Sequence, residues 1–180
     1  MEITPLRLPG TYLIKPSPIG DKRGYFMEYY RRDLFEEHGL VTDWAQENQS
    51  LSAHKGVVRG LHFQFPPHAE TKLVRTVQGK AWDVFVDLRR DSDTYGQWDA
   101  VELSEDNQYM VYIPKGFAHG FCTLMENTLL QYKVDAFYTP TQGGLMWNDP
   151  TLNIAWPCTD PILSERDQNL PKFADFDTPF

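Results

Sequence analysis

The chain has 180 residues, 41% of them apolar and 23% charged, with a formal net charge of −8 and a pI near 5.0. That length supports one domain whose core needs no disulfide or structural metal. The acidic balance argues against a nucleic-acid partner, because no basic excess is available to displace phosphate counterions, although a few arginines can still hold one phosphate group.

In chain order, MEITPLRLPG lacks the apolar run of a leader, and no later segment approaches the roughly 20 apolar residues that span a bilayer. A soluble cytoplasmic protein without a membrane partner is therefore expected. GYFMEYY reads as a strand, and RDLFEEHGL as a short helix with Asp33 as its cap and Gly39 as its stop. VVRGLHFQ, KLVRTVQ and KAWDVFVDL follow as strands; in the last, Trp82, Val84, Val86 and Leu88 share one face and Asp83, Phe85 and Asp87 the other. WDAVEL, YMVYIP, AHGFCTL and TLLQYKV continue the series, separated by turn clusters such as LRRDSDTYGQ and LSEDNQ. SERDQNL has the Ser-x-x-acid pattern of a capping box, and the tail after Leu170 is expected to drape over the strands. Cys122 and Cys158 stand in unrelated contexts, so neither a disulfide framework nor a thiolate zinc site is indicated, and both read as inert thiols. Many short strands at this spacing predict an all-β antiparallel sandwich or barrel, with residues 1–180 forming one domain that has an N-terminal strand extension.

Chemistry concentrates in GVVRGLHFQFPPHAETKLVRTVQG and YIPKGFAHGF. Together they carry the double-stranded β-helix (jelly-roll) signature of the cupins, in which two histidines, a glutamate and a third histidine bind metal. Here only His62 and His119 remain; Gln64 takes the second histidine's place and Lys72 the glutamate's. Two neutral imidazoles beside an ammonium make a poor cation site, so no metal is expected. A histidine and a lysine on facing walls instead suit proton abstraction beside a carbonyl, the ammonium steadying the enolate oxygen. A metal-dependent cupin using His62 and His119 is the rival reading, and a packed histidine with a solvated lysine the bland one. Arg59 lies an odd three residues from His62, which on a regular strand points the two side chains to opposite faces; a bulge at Gly60 would bring them together.

The segments DKRGYFMEYY, QENQS, GVVRGLHFQ, KLVRTVQG, YGQW, IPKGFAHGF and WNDP, in this order over most of the chain, closely resemble the dTDP-4-dehydrorhamnose 3,5-epimerase family. The resemblance implies a cofactor-free, metal-independent cupin that epimerises a nucleotide-linked 4-keto-6-deoxyhexose, dTDP-linked in the family, and acts as a homodimer. It implies His62 as the base with Asp167 as its acidic partner, Lys72 beside the enolate and Tyr132 as the general acid. Asp167 also reads as a capping residue with Ser164. Arg23, Arg59 and Arg166 resemble the diphosphate and sugar contacts, Glu28, Gln46 and Asn48 the contacts to base, deoxyribose and phosphates, and Tyr138 the aromatic that stacks on thymine. His119 is expected to line the sugar pocket as a hydrogen-bond donor. Gly143 departs from relatives that carry an acidic nucleotide contact there. Relatives that act at one carbon share most of these residues, so regiochemistry stays open, and a sugar-nucleotide-binding cupin without turnover is a further alternative.

Overall fold

A computed structural model describes residues 1–180. Its strands and helices run β1 (Glu2–Pro5), β2 (Tyr12–Lys15), β3 (Ile19–Asp21), β4 (Gly24–Phe26), α1 (Arg32–Glu37), β5 (Gln46–Ser52), β6 (Val58–Gln64), β7 (Lys72–Gln78), β8 (Lys80–Asp87), β9 (Trp98–Ser104), β10 (Met110–Ile113), β11 (Phe117–Thr123), β12 (Thr128–Val134), β13 (Gln142–Gly144) and α2 (Glu165–Gln168). One sheet has the order β1-β2-β10-β7-β12-β5, a second β13-β6-β11-β8-β9, and β3 and β4 pair alone as a hairpin. All of these pairings are antiparallel. From β5 onward each strand crosses to the opposite sheet, save at the β8–β9 hairpin. This is the cupin-type jelly roll, and it closes two walls around a shared interior.

Between the sheets lie Val74, Phe85, Leu103, Val111, Ile113, Phe121 and Leu130, buried from both sides. Each such side chain contributes about 1.5–3 kcal/mol of burial. Strand β8 shows how the alternation is used. Val84, Val86 and Leu88 face outward, where Phe173, Phe176 and Phe180 of the C-terminal tail cover them, and Phe85 faces the interior. Phe63 meets Phe176 and Phe180 at ring distances of 5.2 and 5.8 Å. Both faces of β8 are therefore buried, and the two aspartates on its inner face need internal partners. Asp87 accepts from Arg89 Nη2 (2.7 Å), Ser92 Oγ (2.6 Å) and Thr94 Oγ1 (2.6 Å). Burial opposes its ionisation, yet these bonds hold its carboxyl below the ordinary carboxylate range.

Several sequence expectations are corrected. Only Gly24–Phe26 of GYFMEYY is strand. The α1 cap is Arg31, whose side chain makes no capping bond, while Asp33 sits in the first turn and pairs with Arg31. Gly39 does end the helix: it adopts φ +66°, and Leu40 N–H then returns to Phe35 O at 2.9 Å. Strands β3, β5 and β13 match no strand run of the sequence, and β1 and β2 lie where only an N-terminal strand extension without bounds is expected. In β5 the sequence QENQSLS places polar groups on both faces, one toward solvent and one toward a polar cavity, so no apolar alternation marks it. Cys122 and Cys158 come from distant segments, yet their Sγ atoms lie 3.3 Å apart as free thiols. Burial, then the adjoining Cys158 thiol, pushes the Cys122 thiol up to about 12. No helix is long and apolar enough to cross a membrane.

Candidate active site

A cavity of about 550 Å³ opens between the two sheets. Strand β6 supplies Arg59 and His62, β7 Lys72, β11 His119, β12 Tyr132 and β5 Ser50 and Ser52, while Arg166 and Asp167 of α2 close one side.

Arg59 and His62 both line this cavity because the strand between them is irregular. Opposite β11, His62 pairs with His119 and Arg59 with Phe121, so three steps along β6 match two along β11. The extra residue falls at Gly60, with φ +116°, where the sequence called for a bulge. A Cβ at Gly60 would lie 2.7 Å from both Gly120 Cα and His119 O, which are backbone atoms that cannot rotate away. Gly60→Ala is therefore expected to destabilise the fold by about 3 kcal/mol, read from the urea midpoint, because it adds a backbone clash to a positive φ.

The Asp167 carboxylate reaches His62 Nε2 at 2.6 Å across 105 residues of sequence. Its local setting explains its freedom to do so. Ser164 caps α2 by accepting from Asp167 N–H at 3.1 Å, but the carboxylate does not return to the cap. The capping box is thus half used, and the spare carboxylate turns inward. Gly60 N–H also approaches Asp167 Oδ2, at 3.4 Å. Burial disfavours this carboxylate's charge, but the hydrogen bond and charge of His62, with Gly60 and Ser164, hold it below the usual carboxylate range.

Across the cavity, Lys72 Nζ lies 3.1 Å from Glu70 Oε1, both side chains being buried, and 5.9 Å from the Tyr132 ring centroid. Burial, then the Glu70 charge, raises the Tyr132 phenol above its ordinary value, against the opposing effect of Arg59. His119 Nε2 faces both oxygens of fully buried Asp83 at 3.0 Å. Glu70 and Asp83 were not singled out from the sequence as site residues. For Asp83 the signal was strand parity, since it points with Phe85 toward the interior; Glu70 precedes β7 and carries no such signal.

The remaining predicted residues divide. Arg166 lines the cavity and is held by Gln142 Oε1 at 2.6 Å. Tyr138 lines it while staying exposed, and its N–H donates to Gln46 Oε1 at 3.2 Å. Gln46 in turn donates to Asn48 at 2.6 Å; these two share the inward face of β5 with Ser50 and Ser52, but do not themselves line the cavity. Arg23 and Glu28 are not brought to it at all. Arg23 sits at the hairpin turn paired with Asp21, and Glu28 pairs with Arg31 at 3.7 Å. At Gly143 a Cβ would meet the Phe63 ring at 2.5 Å, so a side chain there requires that ring to move.

No three His, Cys, Asp or Glu side chains gather as a metal-ligand cluster. The Nε2 atoms of His62 and His119 each face a carboxylate, and the Lys72 ammonium lines the same cavity. With both imidazole Nε2 atoms turned to carboxylates, the lining offers no convergent metal-ligand group, and the ammonium suits an anion that forms during reaction.

Comparison with known proteins bears on the family and the fold. The dTDP-4-dehydrorhamnose 3,5-epimerase family model matches residues 5–175. The Shigella flexneri dTDP-4-dehydrorhamnose 3,5-epimerase is 44% identical over 179 residues, 98% of each chain. A crystal structure of the Bacillus anthracis enzyme of that name, with TDP and pyrophosphate bound, superposes with a TM-score of 0.93 at 45% identity, covering 95% of this chain and 98% of that one. The Legionella pneumophila dTDP-6-deoxy-D-glucose-3,5-epimerase, in complex with dTDP-4-keto-L-rhamnose, superposes with a TM-score of 0.92 at 36% identity, covering 98% and 94%. On fold, cavity and sequence together, this chain belongs to the dTDP-4-dehydrorhamnose 3,5-epimerase family and is an enzyme of the isomerase class.

Proposed function

We propose that the cavity inverts C3 and C5 of dTDP-4-dehydro-6-deoxy-D-glucose, giving dTDP-4-dehydro-L-rhamnose through an enolate of the C4 ketone. The observation that carries this reading is the His62–Asp167 pair facing Lys72 and Tyr132 around one cavity. The ketone acidifies the hydrogens on both flanking carbons, so one constellation serves both. Asp167 accepts the Nε2 proton of His62, which leaves Nδ1 as the basic nitrogen of the ring, and it steadies the imidazolium once a proton is taken. As the C–H bond breaks, its electron pair moves onto the C4 oxygen, where the Lys72 ammonium opposes the new charge. Tyr132 then donates its phenolic proton to the other face of the same carbon. Its raised pKa keeps that proton in place at neutral pH. Exchange with solvent resets both groups, and the cycle repeats at the second carbon.

Arg59 and Arg166 supply guanidinium groups for the diphosphate, and exposed Tyr138 offers a flat face for the base. The ligands of the two solved relatives support a thymidine nucleotide. We place Arg23 and Glu28 in the cavity of a second copy in a homodimer, because their segment also exposes Ile19, Tyr25 and Phe26, an apolar set that a partner would cover.

The test is solvent-isotope exchange. With dTDP-4-dehydro-6-deoxy-D-glucose in D₂O, the protein is expected to place deuterium at C3 and C5 of the product. Tyr132→Phe is expected to keep exchanging hydrogen while returning it with retained configuration, as seen by NMR. No deuterium at either carbon sinks the reading, uptake at one carbon reduces it to single-centre epimerisation, and unchanged product formation by Tyr132→Phe removes the phenol from the mechanism.

A further inference from the structure

We propose that Glu70 is a positioning residue for the reaction: a buried carboxylate, itself held by Gln64, that keeps the Lys72 ammonium charged and aimed at the enolate oxygen. This inference rests on the role given above to Lys72. Glu70 does not line the cavity, so it acts only through its neighbours.

The Lys72 side chain is only 8% exposed, and that of Glu70 9%. An ammonium so placed needs a counter-charge, since an unpaired buried cation gives up its proton rather than remain charged. The other nearby carboxylates are engaged elsewhere: Asp167 with His62, Asp83 with His119, and Asp135 with Lys115 at 3.0 Å. Of the remaining charged or titratable groups, Arg59 is a cation and Tyr132 a neutral phenol, and neither can balance Lys72. Glu70 alone is left to do so.

Its second oxygen is fixed from behind. Gln64 Nε2 lies 3.0 Å from Glu70 Oε2, 3.0 Å from His68 O and 3.2 Å from Phe137 O. Gln64 Oε1 accepts from Thr139 N–H at 2.7 Å and Thr139 Oγ1 at 3.2 Å. The Thr139 N–H can only donate, so the amide oxygen must face it and the amide nitrogen must face the carboxylate. Gln64, standing where a metal ligand is expected in other cupins, thus serves as the clamp of an ion pair. The same Glu70 charge adds to burial in keeping Tyr132 a phenol, so its loss acts on both proton-bearing groups in one direction.

Two variants separate charge from position. Glu70→Gln removes the charge and keeps one acceptor oxygen, for Lys72, while its amide nitrogen takes the place of the oxygen that accepts from Gln64. The alkaline limb of its pH–rate profile, measured from about pH 6 to about pH 10, is expected to move to lower pH by about one unit at unchanged KM. Glu70→Asp keeps the charge and withdraws it by a methylene. Its alkaline limb is expected to stay, while kcat falls about tenfold because the ammonium follows its partner out of line. A Glu70→Gln profile that superimposes on the parental one, or one lowered without a shift of the limb, overturns the proposal. Should Glu70→Gln not fold, Glu70→Asp carries the test, and a parental kcat overturns it. Failure of the underlying reading looks different, because the parental protein itself then shows no exchange.

Discussion

Replacing His62 by alanine is expected to abolish deuterium uptake at both C3 and C5 together, lowering kcat/KM about a thousandfold or more. The reason is geometric. In this cavity, only His62 combines partial exposure with a carboxylate aligned on the far ring nitrogen; the His62 side chain is 22% exposed and Asp167 4%. His119 lies deeper, with Nε2 shared between both oxygens of Asp83. One base serving two carbons predicts that both exchanges fall by the same factor. The variant should bind dTDP as before, since the guanidinium groups of Arg59 and Arg166 are untouched. Exchange that survives at one carbon assigns that carbon to a second base, with His119 the first to test.

The second large effect is at Lys72. Lys72→Met is expected to lower kcat by about 10² to 10³, the usual cost of removing one pre-aligned donor from a developing oxyanion. KM should move little, because the ketone oxygen gains most of its charge only after binding. The same change leaves Glu70 buried without its cation, so thermal unfolding should also fall, by about 3 kcal/mol. Adding Glu70→Gln to Lys72→Met is then expected to recover much of the stability and none of the activity. That separation matters, because a variant that merely unfolds would lose both and regain both. If Lys72→Met turns over at the parental rate, the enolate is steadied by some other group.

Much of this site was legible before any fold was known, and for a physical reason. Strand periodicity is local: side chains two residues apart share a face, so KAWDVFVDL and KLVRTVQ declare themselves. The odd spacing of Arg59 and His62, once the resemblance gave both a place in one site, required an irregular strand at Gly60, and the register supplies it. Strand β5 was not legible, because the signal of a strand is apolar contrast and QENQSLS borders polar space on both sides. The capping motif at Ser164 was visible, but not that its carboxylate would leave the cap for an imidazole on another strand.

Within each regular strand the sequence alone sets which side chains share a face, and its motif positions name His62, Lys72 and His119 as candidates. That Gln64 and Lys72 stand where a metal-binding cupin would carry a histidine and a glutamate was readable from motif positions. Tertiary structure decided the partners. Asp167 of α2 meets His62 of β6 across 105 residues, and Asp83 of β8 meets His119 on the neighbouring strand β11 across 36; Glu70 and Lys72 are close in sequence, but the Gln64 that clamps their pair comes from β6 in the other sheet. Spacing along a chain fixes direction only within one element; counter-charge is set by distance through space, and for His62 and His119 that distance exists only once remote segments have folded together.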